Sequence, residues 1–456
     1  MSTRTITPHT ASRIDRFLFT QTDNSPLVVF RIAFGFLLFV EAAGAMALGW
    51  VQRVLIAPDF TFNYIGFEWI RPLPGNWMYV YFTLMALCGL GVMLGYRYRV
   101  SAIGYFVLWT FVYLMQKSSY NNHYYLMVLL TGFMTLVPAH RAYSLDARRD
   151  PSIRSNTCPR WCHLIFIVQV AIVYFYAAAH KFYPDWLQAR PMQIWFSSKG
   201  DLPLLGPLYT ERWFHYFISY GGILFDASIV PLMLYRRTRV LGFSMSLFFH
   251  LFNSFTFGIG VFPYMAIALN VFFFSPDTIR RLFLRKKEKV TDHPVTVPGY
   301  KPILIGVFTI YFAFQVFLPV RHMLFPGQVH WTEEGHRLAW QMMLRTKYGS
   351  IFFRVKDKDT GREEIIIPKN YLTEKQARKL PTHPDMIYQF VQFIKKEYRD
   401  KGIINIEIRT VSKASLNGRR LQKFVDPEID LTTIEWEHFG HKTWLMPLED
   451  FEEETQ

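Results

Sequence analysis

Charge is scarce in this sequence. Asp, Glu, Lys and Arg make up 19% of its 456 residues, against about a quarter in an ordinary soluble protein. Six stretches, 76–96, 100–116, 124–139, 164–179, 240–274 and 302–320, contain no charged residue at all. Runs of about 20 such residues are long enough to cross a bilayer. A soluble globular fold is thereby excluded, and a polytopic membrane protein is expected. Cysteine is rarer still: Cys88, Cys158 and Cys162, with none after position 162. No disulfide can therefore staple the C-terminal third, which is compatible with an oxidising compartment without requiring one. The Cys158/Cys162 pair lies in a basic loop with no evident ligand partners, so it is not read as a metal site. A His-Glu-x-x-His motif, closely spaced histidine pairs and a Gly-rich phosphate loop are all missing, which argues against metal or nucleotide chemistry. Internal repeats and low-complexity segments are missing as well, and the polar first 26 residues show no cleavable signal.

Apolar runs, by contrast, are abundant. Candidate spans lie near 27–50 (with Arg31 and Glu41), 76–96, 100–117, 122–139, 163–180, 213–235 (with Asp226), 240–257, 259–275 and 301–320. The expected architecture is a polytopic α-helical membrane domain of about nine spans followed by a β-rich α+β domain on the exoplasmic side. Its segments are 1–26 (cytoplasmic), 27–321 (membrane, catalytic) and 322–456 (exoplasmic). The stretch 240–275 is short for two full spans, and a re-entrant element there would leave eight. In the polar part, "IFFRVKD", "KDTG" and "EEIIIP" read as a hairpin. "HPDMIYQFVQFIKKEYRDKG" reads as an amphipathic helix with a glycine stop, and "INIEIRTV" as a further strand.

The formal charge of +15 suggests nucleic acid until it is located. Residues 322–456 hold 21 basic and 21 acidic residues, so the whole excess lies in 1–321. There it concentrates in alternate loops, 19 Lys and Arg on one side of the nine-span arrangement against seven on the other. That is the positive-inside pattern of a membrane protein and no nucleic-acid footprint. It places the N-terminus in the cytoplasm and the C-terminal region outside.

Polar groups at span ends carry the chemistry. Lys181 and His180 close the fifth span in "VYFYAAAHKFYPDW". Asn121, Asn122 and His123 open the fourth in "SYNNHYY", and His250 with Asn253 ends the seventh in "FHLFNSF". Three segments thus bring Lys, His and Asn to a similar depth on the outer side. Each has an ordinary explanation: a lysine snorkelling to water, an asparagine N-cap, interhelical hydrogen bonding. Their coincidence favours a site. A lysine facing an apolar pocket can be neutral and act as a base, with Asn and His beside it to hold a polar substrate.

Six blocks, "PLVVFRIAFGFLL", "KSSYNNHYYL", "YFYAAAHKFYPDW", "FHLFNSFTFGIGVFPY", "WTEEGHRLAWQMMLR" and "VDPEIDL", stand in an order that resembles the vitamin K-dependent gamma-glutamyl carboxylases, from about residue 20 to 447. The resemblance implies epoxidation of reduced vitamin K by O2, coupled to CO2 addition at the γ-carbon of protein-bound glutamate. It implies Lys181 as the base, with His123 and Asn122 in the catalytic group. Asn121, His250, Asn253, His180 and Arg31 are the expected cofactor contacts. Trp331, Trp340, Met342 and Met343 are the expected contacts to the glutamate-containing peptide. No metal is expected. Partners are a peptide or protein substrate and the bilayer. Animal members continue further and carry a disulfide without counterpart here, so the chain resembles a compact prokaryotic member. That would put it in a bacterial inner membrane with its C-terminal domain in the periplasm. The alternatives are a non-carboxylating quinone-binding or transport-like membrane protein, and a quinone epoxidase that carboxylates no protein.

Overall fold

The structure, a computed structural model, describes residues 3–6, 11–201 and 206–449. Nine apolar helical segments occupy the nine expected places. They are α1 (Ser25–Ala47), α2 (Trp77–Leu94), α3 (Tyr98–Met115), α4 (Asn122–Leu136), α5 (Trp161–Ala179), α6 (Arg212–Leu234), α7 (Arg239–Phe257), α8 (Phe262–Leu269) and α9 (Lys301–Val320). Among the described residues, seven helices are long and apolar enough to cross a membrane; α4 and α8 fall short. Protein covers the start of α4, where Asn122 is buried, so that helix need not bridge the full apolar thickness itself. In 240–275 the chain turns tightly after α7. Gly258 caps that helix in the left-handed conformation, and α8 runs eight residues before a 3-10 turn at Asn270–Phe273.

Close packing and a few buried polar bonds hold the bundle together. At Gly35 of α1, a Cβ would fall 2.3 Å from the Met93 nitrogen of α2, so only glycine permits that crossing. Helix α9 is mostly exposed to lipid, yet Gln315 reaches into the bundle. Its amide donates to the Tyr125 hydroxyl at 2.7 Å, and Gln169 of α5 accepts from Tyr311 at 2.5 Å. In lipid, where apolar surfaces have no drive to associate, such bonds give α9 a fixed seat.

Beyond α9 the chain forms a four-stranded antiparallel sheet. Its strands are β1 (Lys347–Asp357), β2 (Glu363–Ile366), β3 (Ile406–Leu416) and β4 (Gln422–Lys423), in the order β2-β1-β3-β4. The β1–β2 hairpin turns at "KDTG" as expected, with the Thr360 hydroxyl donating to Asp357 at 2.6 Å. Alternate residues Ile351, Phe353 and Val355 of β1 face α10 (Pro384–Asp400), which buries Ile387, Phe390, Val391 and Ile394 against them. This core also takes in Phe62 from the loop between α1 and α2. Gln389 donates to the Asn63 carbonyl at 3.0 Å in the same loop. The sheet region is thus fastened to one end of the bundle.

Two ends result. The basic N-terminal face is tied by the buried Lys287–Asp23 pair and by a short ladder between Gln21–Asp23 and Thr157–Pro159. The other end meets the sheet region through Lys117–Asp385 at 2.7 Å and Arg419–Asp185 at 2.6 Å.

Candidate active site

Lys181 lies one residue past the C-cap of α5, where the apolar run stops and Pro184 starts a new turn. Its side chain does not reach outward. It is 9% exposed, and Nζ donates to the Ala177 carbonyl at 3.1 Å and to Asp226 of α6. Trp186 lies beside it, with the ring centroid 5.3 Å from Nζ and the indole N–H donating to the Ser219 carbonyl at 3.0 Å. Lys181 thus has a buried carboxylate partner that its local sequence does not announce. The relevant unit is the Lys181–Asp226 dyad.

A cavity of about 110 Å3 opens beside this dyad. His123 of α4 and His250 of α7 line it, along with Asn253 and the aromatic rings of Trp186, Trp195 and Phe262. His123 stacks on Phe262, with centroids 4.1 Å apart, and its Nδ1 has no hydrogen-bond partner. His250 Nε2 is 2.8 Å from the Tyr174 hydroxyl, while the Asn253 amide donates back to the Phe249 carbonyl at 2.8 Å. Three of the expected segments do converge, each anchored by its own helix.

A second cavity, about 790 Å3, begins at His123 and Phe262 and runs between α1, α4 and α8. Exposed Phe36, Val40, Leu48 and Tyr264 border it, as lipid-facing residues do. Glu41 and Asn121 line it too. A third, about 400 Å3, lies toward the sheet region and shares His123, Trp195, Met342 and Met343 with the first. It is cationic: Lys117, Arg337, Arg345, Lys347 and Lys379 line it. Glu333 pairs with Arg345 and, at 3.4 Å, with Lys347; Asp385 pairs with Arg337 and Lys117. Burial pulls the Lys347 ammonium down to about 7, against the opposing field of Glu333. Burial likewise takes Lys117 down to about 8, although Asp385 pulls the other way.

The segment 333–343 ends in Met342 and Met343, which line both the first and third cavities and form the wall between them. Glu333, Leu338, Trp340 and Met343 all take positive φ, between 49° and 64°. Such strain in non-glycine residues persists only where the surroundings impose it, and functional sites are where it collects. Asn122 helps impose it, donating to the Gln341 carbonyl at 3.0 Å and accepting from Tyr120 at 2.9 Å. Asn121 is the N-cap of α4.

Several expected residues lie elsewhere. His180 turns toward His322 near the end of α9, ring centroids 5.4 Å apart, and does not line the Lys181 cavity. Arg31 belongs to the opposite end of the bundle, in a cavity of its own. Trp331 sits in the core of the sheet region, edge-on to Phe424, with its N–H donating to the Met446 carbonyl at 2.7 Å. Trp340 is buried against Tyr125, ring centroids 4.9 Å apart, and lines neither cavity. Met342 and Met343 reach both cavities. In the "KFYPDW" block, Asp185 accepts from Arg419 and Asn417 and so joins the two regions. Sequence reasoning missed Asp226 as a site residue, although a carboxylate inside an apolar helix is itself the signal. It also overlooked His163, 3.5 Å from Cys158. Among the described residues, no group of three or more His, Cys, Asp or Glu is placed to hold a metal ion.

Two family models match the chain. One, described as the HTTM domain, covers residues 19–278. The other, described as the vitamin K-dependent gamma-carboxylase lumenal domain, covers residues 300–451. No solved structure gives a significant match.

Proposed function

Because the chain belongs to the vitamin K-dependent gamma-carboxylase family, we propose that it oxidises reduced vitamin K with O2 to the epoxide and carboxylates a glutamate side chain at Cγ. It is a membrane protein with vitamin K-dependent carboxylase-like domains, and the match to a lumenal domain points to an exoplasmic C-terminal region. The observation that carries the finer reading is the Lys181–Asp226 dyad, buried beside a cavity of about 110 Å3 that adjoins two others of opposite character through His123. The apolar one suits an isoprenoid tail arriving from lipid. The cationic one suits a carboxylate arriving from the exoplasmic side.

The residues fit a quinol ring. Flat aromatic walls and the thioethers of Met342 and Met343 surround the cavity, and His123 Nδ1 is a buried polar atom in want of a partner. When bound, reduced vitamin K supplies, through its oxygenation, a base far stronger than any side chain, which the weakly acidic γ-hydrogen requires. Lys181 begins the sequence. It passes its proton to Asp226 and takes one from the bound hydroxyl, so that a protonated dyad stands beside the charge it has created. His123 and His250 orient the oxygens. The Met342/Met343 wall admits the glutamate side chain while keeping water from the strong base. Arg345, Lys347 and Lys379 hold the carboxylates of substrate and product.

The test is purified protein with reduced vitamin K, oxygen, labelled bicarbonate and a glutamate peptide. Label in the peptide together with epoxide supports the proposal. Epoxide without label would favour an epoxidase; neither product would favour a quinone-binding protein.

A further inference from the structure

At the end of the bundle remote from the sheet region, a cavity of about 740 Å3 lies between α1, the end of α2 and the loop 141–156. Arg31 lines its base, on the second turn of α1, with no solvent exposure. One guanidinium nitrogen donates to the Tyr143 carbonyl at 2.5 Å, while Nε and Nη1 have no hydrogen-bond partner. The fold makes room for this group. Gly95, at positive φ, stands where a Cβ would come within 2.4 Å of Nη1.

Three more arginines, Arg141, Arg148 and Arg154, line the cavity. Arg154 donates to the Ala147 carbonyl at 2.7 Å. Among the described residues none of the four forms an ion pair. Asp146 acts on Arg31 through its field and makes no direct hydrogen bond to it, accepting instead from the backbone N–H groups of Arg97 and Tyr98 at 2.8 Å each, and Asp150 accepts from Ser152. A buried guanidinium with two idle donors under three more of its kind is costly unless an anion joins it. The rim adds a second clue. Ile32, Leu94, Leu145 and Tyr143 are exposed around the arginines, which suits acyl chains better than water.

We propose that this cavity binds the phosphate headgroup of an anionic phospholipid, in the leaflet opposite the sheet region, with Arg31 at its base and Arg141 and Arg148 at its mouth. Arginine donors match phosphate oxygens in pairs, and basic pockets between membrane helices are known to take such headgroups. The site is independent of whatever reaction occurs at the other end.

The experiment uses the full-length protein in neutral detergent, titrated with phosphatidylglycerol, phosphatidylcholine or inorganic phosphate, and read by native mass spectrometry and thermal unfolding. Phosphatidylglycerol should bind and raise the unfolding midpoint; phosphatidylcholine should do neither. The double variant Arg141→Gln/Arg148→Gln, at exposed positions, should keep the unliganded midpoint and lose at least about tenfold in phosphatidylglycerol affinity. Equal affinity in that variant, or equal stabilisation by phosphatidylcholine, overturns the proposal. Stabilisation by inorganic phosphate alone, matching that by the lipid, overturns the lipid in favour of a free anion.

Discussion

Two of the buried cations of this bundle, Lys181 and Arg31, lie toward opposite ends, and their hydrogen-bond partners differ in one group. Lys181 donates to Asp226, a carboxylate from the neighbouring helix; Arg31 donates to a backbone carbonyl, keeps two idle donors and feels Asp146 only through its field. A cation paired within the protein has its charge balanced and can exchange a proton with its partner. Arginine stays protonated at any working pH and can only wait for an anion from elsewhere. The pair is suited to chemistry, the lone group to binding. On the proposed function, the choice of Lys at one end and Arg at the other follows from these two roles, since both would anchor equally well at a membrane surface.

The contrast breaks first at Lys181. Both Lys181→Ala and Lys181→Arg should lower hydroquinone oxidation at least about a hundredfold, the order of a missing general base, while the hydroquinone still binds. A folded Lys181→Arg protein with ordinary turnover would reduce Lys181 to an anchor. The complementary exchange, Arg31→Lys, should leave that oxidation near its normal rate, since Arg31 lies in a separate cavity.

Smaller effects belong to the cationic cavity. Lys379→Gln removes a positive charge that forms no ion pair among the described residues, and should raise the peptide KM by about tenfold with peptide-free oxidation unchanged. Equal loss of both activities would mean that the cavity serves the fold. Trp331→Ala should instead unfold the sheet region, at a cost of about 3–5 kcal/mol, with no selective KM effect; Met343→Ala tests the wall without touching that core.

A pH series sharpens the same point. Since burial holds Lys347 down at about 7, its ammonium loses the proton as pH climbs through that value, the cavity loses a positive charge, and the peptide KM should rise between about pH 6 and 8. The unfolded chain keeps that proton up to the ordinary lysine range, so the same shift makes folding more favourable with rising pH above about 7. A KM that stays flat in this window, or falls, would remove Lys347 from substrate binding.

Orientation separates the two ends most simply. The excess of basic loops predicts that a cysteine at Lys358 is labelled from outside and one at Arg285 is not. Arg285 is preferable to Lys287, which is buried against Asp23. The reverse labelling would exchange the leaflets assigned here.

Much of the fold was legible because a bilayer imposes length and apolarity on every span, and the alternation in "IFFRVKD" and "INIEIRTV" marks strands as plainly. Depth could be read too: Lys181, His123 and His250 stand at span ends on one side and do meet. Angle could not. Whether a side chain at a helix end turns inward depends on neighbours distant in sequence, so His180 and Arg31 belong to the expected site although neither lines its cavity. Asp226 stayed out of the site because nothing local says that α6 presents it to α5. The cationic cavity was invisible for a related reason. Lys117 and Lys347 are 230 positions apart and meet only because the sheet region docks on the bundle. Trp331 and Trp340 looked alike in one motif, yet nine residues suffice to put one in the sheet core and the other against a membrane helix.

The account stands on proton exchange within the dyad, and Asp226→Asn tests it most directly. An amide can accept a hydrogen bond from Lys181 but cannot take its proton. With Lys181 intact and hydroquinone binding confirmed, oxidation should fall by about two orders of magnitude, and Asp226→Glu should recover part of it. Normal turnover in folded Asp226→Asn would contradict the account, leaving Asp226 as a structural counter-ion and Lys181 to act alone.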